Sequence, residues 1–107
     1  MKELYHLYET VMERKENPEE GSYTAYLFEK GREKILKKFG EESTEVIIAA
    51  MSQTDEELVG EINDLLYHLL VLMAERGITL QAVEEEMTAR AQKQHNLKAE
   101  RKPVTVL

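Results

Sequence analysis

Apolar positions recur at three- and four-residue intervals along most of the chain, the spacing of one face of an α-helix. Leu4, Leu7, Tyr8, Val11 and Met12 predict a first helix over residues 2–15, which Asn17-Pro18 closes. Residues 16–21 read as a loop, and Ser22 is placed to cap the second helix. Tyr23, Tyr26, Leu27, Ile35, Leu36 and Phe39 continue the helical period to about Met51. Gly31 and Gly40 fall inside it, each costing about 1 kcal/mol relative to alanine, and Gly31 is the expected break or kink. Thr54-Asp-Glu-Glu57 has the form of a capping box ahead of a long helix to about Arg76, and Gly77 supplies a left-handed cap. Thr79 then caps a last helix through about His95, with Leu80, Val83, Met87 and Ala91 as its apolar stripe. The expected fold is an all-α bundle of four to five helices. It forms one domain over residues 1–95, followed by a basic tail over 96–107.

The stretch from Leu65 to Ala74 changes this picture. It is apolar nearly all the way round, and such a helix must be buried on every side. A chain of 107 residues makes a thin core alone, and its few short helices can hardly surround that segment. A homodimer or higher homo-oligomer resolves the problem by letting a second copy complete the bundle. A monomer with a sheltered central helix is the alternative.

Composition narrows the chemistry. Cysteine is absent, which excludes disulfide scaffolds, thiolate metal sites and cysteine nucleophiles. Acids outnumber bases 21 to 14, for a net charge of −7. A nucleic-acid or anionic-membrane binder would usually carry the opposite sign, so neither partner is expected. The charged start lacks an apolar signal core, and the Leu65–Ala74 run is too short to span a bilayer, so a cytoplasmic protein is expected.

Two acid groups stand apart from the general excess: Glu41-Glu42-x-x-Glu45 and Glu61-x-x-Asp64. Within each group the acids three apart share a helix face, beside positions that carry core residues such as Val46, Ala49, Leu58 and Leu65. Unpaired carboxylates at a core edge are costly, and four facing one another repel unless a cation intervenes. The turn near residues 53–55 brings the two helices back antiparallel and lets the pairs converge. A hard divalent ion such as Mg²⁺, which takes carboxylate, water and phosphate oxygens, suits Glu42, Glu45, Glu61 and Asp64. Solvated surface acids are the alternative. A di-iron bundle would need two Glu-x-x-His motifs, and the chain has only Glu3-x-x-His6, outside the acid groups.

Directly before Glu41 lie Lys30, Arg32, Lys34, Lys37 and Lys38. They read either as ordinary i,i+4 ion pairing or as a phosphate clamp beside a metal site.

These residues resemble a known family. Glu-Glu-x-x-Glu followed by Glu-x-x-Asp is similar to the all-α, MazG-like nucleotide pyrophosphohydrolases. Ser22-Tyr-Thr-Ala25, Lys37-Lys-Phe-Gly-Glu-Glu42 and Asp64-Leu-Leu-Tyr-His-Leu-Leu-Val71 narrow the resemblance to the phosphoribosyl-ATP pyrophosphohydrolases of histidine biosynthesis, over roughly residues 8–95. The resemblance implies a Mg²⁺-dependent, oligomeric enzyme. Its substrate would be phosphoribosyl-ATP, cut to phosphoribosyl-AMP and pyrophosphate. By the same resemblance Glu42, Glu45, Glu61 and Asp64 would hold the ion, and Glu41 would complete a second metal position or orient the attacking water. Lys34, Lys37 and Lys38 are the phosphate candidates, and Arg90 and Lys93 are a second basic pair able to reach a partner's site. Tyr67 and His68 either contact base or ribose or serve as core residues. The resemblance allows a fused cyclohydrolase domain with a cysteine-bearing metal site in some members, and with no cysteine here a monofunctional chain is expected. A house-cleaning dCTP or dUTP pyrophosphatase would share the acids but not the Ser-Tyr-Thr and Asp-Leu-Leu-Tyr-His stretches. A non-catalytic helical dimerisation module would have no reason to place acids at a core edge.

Overall fold

A computed structural model describes residues 1–93, and no strand occurs among them. Five helices run in order: α1 (Lys2–Glu16), α2 (Tyr23–Lys30), α3 (Arg32–Ser52), α4 (Asp55–Arg76) and α5 (Leu80–Gln92). The expected continuation to His95 and the basic tail over 96–107 lie outside the described residues.

Local chemistry accounts for the boundaries. The Ser22 hydroxyl accepts from the Ala25 N–H at 3.1 Å, satisfying one donor that the start of α2 would otherwise leave open. Gly31 adopts φ 93°, ψ −172°, a conformation only glycine reaches cheaply, so α2 and α3 are separate helices rather than one kinked helix. Before α4, the Thr54 hydroxyl accepts from the Glu57 N–H and the Glu57 carboxylate accepts from the Thr54 N–H, each at 3.1 Å. Gly77 ends α4 at φ 74°, ψ 22°, and the Thr79 hydroxyl accepts from the Ala82 N–H at 3.0 Å to open α5.

The two-residue connection at Gln53-Thr54 folds α3 back along α4 as a helical hairpin. Helix α1 packs on α4, and α2 packs on both α1 and α3. One core cluster joins Val11, Leu27, Ile35, Val71 and Ala74, drawing on α1 to α4. A second joins Leu70, Met73 and Leu80, with Leu4, Tyr5, Leu7 and Val83 packed against it, and so docks α5. Polar contacts reinforce the same end. The Lys15 ammonium donates to the Ala74 carbonyl at 2.7 Å, a cation at the negative end of α4. The Tyr8 hydroxyl donates to the Ile78 carbonyl at 2.6 Å, the Tyr5 hydroxyl donates to Glu84, and Arg32 pairs with Glu75 at 3.0 Å.

These contacts converge on the C-terminal half of α4. His68, Leu70, Val71, Met73 and Ala74 are therefore buried by their own chain. The Leu65–Ala74 stretch needs far less from a second copy than its apolarity suggests, because four short helices do shelter most of it. Among the exposed apolar side chains, one group lies near the hairpin turn: Ile47, Ile48 and Met51 on α3, and Val59 and Ile62 on α4, with Met51 82% exposed; Met1, Leu36, Ile78 and Met87 are exposed elsewhere.

Candidate functional site

The hairpin places the two acid groups opposite one another. Glu42 and Asp64 stand about equally far from the Gln53-Thr54 turn, as do Glu45 and Glu61, so antiparallel packing brings each pair to the same level. One carboxylate oxygen from each of Glu42, Glu61 and Asp64 lies within 4.8 Å of the other two. Glu42 and Glu61 are half-buried and Asp64 is exposed, so the group forms an edge open to solvent on one side.

Charge is concentrated at that edge. Partial desolvation raises the Glu61 carboxyl above its ordinary range, and the negative charges of Glu45, Asp64, Glu42 and Glu57 push it further the same way. Glu45 is thus a close neighbour of Glu61, although it stands outside the three-oxygen group. Glu41 stands outside the three-oxygen group: its carboxylate pairs with the Lys38 ammonium at 3.2 Å, and Glu42 lies 4.0 Å from the same nitrogen. That hydrogen bond to Glu41 raises the Lys38 pKa despite opposing desolvation. Of the five acids singled out in the sequence, three gather, one adjoins them and one is held by a lysine.

A ring of aromatic residues lies behind the acids. The His68 Nδ1 is 2.8 Å from the Asp64 carbonyl, which can only accept, so Nδ1 carries the proton. The other nitrogen, Nε2, then accepts from the Tyr23 hydroxyl at 3.1 Å. With both nitrogens engaged and 6% of its surface exposed, His68 has no free polar atom for a ligand. It serves as a strut between α4 and α2. Tyr67 is half-buried, its hydroxyl bonded to that of Thr24, and burial raises its pKa. Of the two roles open for Tyr67 and His68, packing and hydrogen bonding account for His68 fully.

Tyr23 is the most exposed of these aromatic residues. Its ring is 44% exposed, stacked against Tyr26 at 6.1 Å and against Tyr67 at 6.2 Å. Burial raises its hydroxyl pKa, Lys38 opposes that shift, and Glu42 adds to it, which puts the hydroxyl in the field of the acid edge. Periodicity alone marks Tyr23 only as the start of a helix. The available signal is the i,i+3 pair Tyr23 and Tyr26 directly after a capping serine, together with the i,i+4 pair Asp64 and His68.

The predicted basic residues divide. Lys38 is at the acids. The Lys34 ammonium sits 5.9 Å from the centre of the Tyr26 ring, the Lys30 ammonium 5.8 Å, and Lys37 is exposed on the same helix as Lys34. Arg90 pairs with Glu86 at 2.8 Å on α5, where Lys93 caps the helix. Helix α5 docks through Leu80 and Val83 against Leu70 and Met73 in the C-terminal half of α4. Neither Arg90 nor Lys93 pairs with an acid of the edge among the described residues. Glu3 and His6 are exposed on α1 and stand outside the acid group.

The chain is similar to known proteins over most of its length. A family model described as phosphoribosyl-ATP pyrophosphohydrolase matches residues 4–91. A phosphoribosyl-ATP pyrophosphatase of Clostridium botulinum (strain Kyoto / Type A2) is 54% identical over 101 residues, covering 94% of this chain and 92% of the relative. A protein of the same name from Lactiplantibacillus plantarum is 51% identical over 98 residues, covering 92% of each chain. Another from Listeria welshimeri is 59% identical over 87 residues, covering 81% of this chain and 84% of the relative.

Proposed function

The chain belongs to the phosphoribosyl-ATP pyrophosphohydrolase family, and we propose that its α3–α4 acid edge is where the hydrolysis takes place. The enzyme is a hydrolase that converts phosphoribosyl-ATP to phosphoribosyl-AMP and pyrophosphate, a step of L-histidine biosynthesis. The observation that carries the assignment of the site is the three-carboxylate group of Glu42, Glu61 and Asp64, held open on facing helices.

The donor set fits Mg²⁺. All three donors are oxygens and the nearest imidazole is fully engaged. The Glu61 carboxyl is raised first by desolvation and then by like charges, and a cation would compensate those charges. Glu42, Glu61 and Asp64 would hold the ion, with Glu45 completing the carboxylate set. When bound, such an ion neutralises charge on the triphosphate and acidifies a water. The protein's own groups do the rest. Lys38, anchored by Glu41 and Glu42, sets a fixed positive charge where phosphate oxygens arrive. Glu41, exposed and bonded to Lys38 through one oxygen, keeps the other available to orient the attacking water. His68 fixes the Asp64 backbone and so the level of the ligand it carries. Little covalent chemistry is needed from the protein in such a displacement.

The same reading includes self-association. Ile47, Ile48, Met51, Val59 and Ile62 form an exposed apolar surface around the hairpin turn, of the kind that a second copy of the chain would cover. Light scattering should give a mass of at least two chains, and Ile48→Glu should lower it. Substrate and product are phosphorylated metabolites that do not cross membranes unaided, which favours a cytoplasmic enzyme. No helix among the described residues is long and apolar enough to cross a membrane.

Asp64→Asn and Glu45→Gln test the site. Both variants should fold and assemble as the parent does and lose Mg²⁺-dependent release of pyrophosphate from phosphoribosyl-ATP. Retained activity in both would sink the assignment of the acid edge.

A further inference from the structure

The acid edge is one end of a longer strip. From Glu42 the strip passes Lys38, then the exposed rings of Tyr23 and Tyr26, and ends at the ammonium groups of Lys34 and Lys30, 5.9 and 5.8 Å from the centre of the Tyr26 ring. Three features make it more than a collection of surface side chains. Tyr23 does not swing freely, because its hydroxyl is tied to buried His68 and its ring is stacked on half-buried Tyr67. Lys30 and Lys34 make no ion pair among the described residues, although the chain is rich in acids. The two lysines also come from different helices, and it is the glycine-only conformation of Gly31 that folds Lys30 back beside Lys34. The distance from Lys34 to Glu42 along α3 is about 12 Å.

The substrate has a matching layout. Phosphoribosyl-ATP carries two phosphate arms on opposite sides of one purine: the triphosphate, and the single phosphate of the added ribose. An ordinary nucleoside triphosphate has only the first arm. We propose that Lys30 and Lys34 bind the phosphate of the added phosphoribosyl group, with the purine against Tyr23 and Tyr26 and the triphosphate at the acid edge. The two lysines are thereby specificity-determining residues: they read the one feature that separates this substrate from ATP. Aromatic faces suit a purine because stacking depends on the ring surface rather than on particular hydrogen bonds. Two ammonium groups suit a terminal phosphate dianion, and charge-assisted hydrogen bonds are the strong ones. This role for the lysines rests on the proposed function.

The test is a double variant, Lys30→Gln with Lys34→Gln, which removes both charges and keeps the polar stems. Steady-state kinetics with phosphoribosyl-ATP should show KM raised about tenfold or more with kcat close to the parent's, as expected for loss of charged contacts made equally before and during reaction. Inhibition by phosphoribosyl-AMP and by AMP supplies a second measurement. The parent should bind phosphoribosyl-AMP more tightly than AMP, and the double variant should lose that preference. Lys34→Arg, which keeps a charge over Tyr26, should lie near the parent. Tyr26→Leu should raise KM while Tyr26→Phe does not, since only the ring face is used. An unchanged KM and an unchanged preference in the double variant overturn the inference and leave the proposed function standing. A parent enzyme that does not hydrolyse phosphoribosyl-ATP overturns the function first and the inference with it.

Discussion

Replacing Leu27 with alanine should cost the folded protein about 2–5 kcal/mol. Leu27 is 0% exposed and is the one residue of α2 wholly inside the core. The substitution removes three carbon atoms, and at about 0.8 kcal/mol for each the lost transfer free energy alone is about 2.4 kcal/mol. A cavity term adds to it. The walls around Leu27 are Val11, Ile35, Val71 and Ala74, which belong to three other helices. Those helices are held by Lys15, Tyr8 and the α3–α4 turn, so they cannot all move inward to fill the void. A loss of about 3 kcal/mol would lower the melting temperature by roughly 15 °C. Urea unfolding followed by circular dichroism measures the loss, at several protein concentrations because an oligomer's stability depends on concentration. Because α2 carries Tyr23 and Tyr26, the variant should also raise KM for phosphoribosyl-ATP while its divalent-ion affinity changes little. A stability loss under about 1 kcal/mol with an unchanged slope against urea would refute the reasoning. It would mean that α2 is not docked through Leu27.

Glu61→Gln should abolish pyrophosphate release yet raise the melting temperature of the ion-free protein at neutral pH, because it removes a charge that is partly desolvated and that its neighbours repel. The sign with pH is set by the direction of the shift. The folded carboxyl lies above its unfolded value, so its contribution to stability is full below the unfolded value and is lost as pH rises through the folded one. The advantage of Glu61→Gln over the parent in chelator-containing buffer should therefore grow with rising pH, and a constant gap would contradict it. Gly77→Ala should destabilise by about 1–2 kcal/mol in thermal melts, since a side chain would meet open space there and the φ of 74° is the whole penalty.

Much of this protein is legible in one dimension because much of it is local. Helix caps at Ser22, Thr54 and Thr79 act within three residues, and Gly77 acts through its own φ. The acid groups are visible for a related reason: residues three apart share a helix face, whatever the rest of the chain does. The motifs also point to the family, which the match over residues 4–91 bears out.

Long-range placement is decided only in three dimensions. Sequence makes Glu42, Glu45, Glu61 and Asp64 equivalent, whereas the pitch and register of the α3–α4 hairpin gather three and set Glu45 beside them. Glu41 leaves the group for Lys38 on its own helix. The apolarity of the Leu65–Ala74 run suggests half of an intermolecular core, but α1, α2, α3 and α5 bury most of it within one chain, and an exposed apolar patch lies at the other end of the hairpin. Tyr23 reaches α4 from a separate helix, with Gly31 ending α2 and His68 receiving its hydroxyl. The division has one physical source. Caps and helix faces depend on backbone geometry over a few residues, while the meeting of side chains from different helices depends on how whole helices pack, which no single segment of the chain contains.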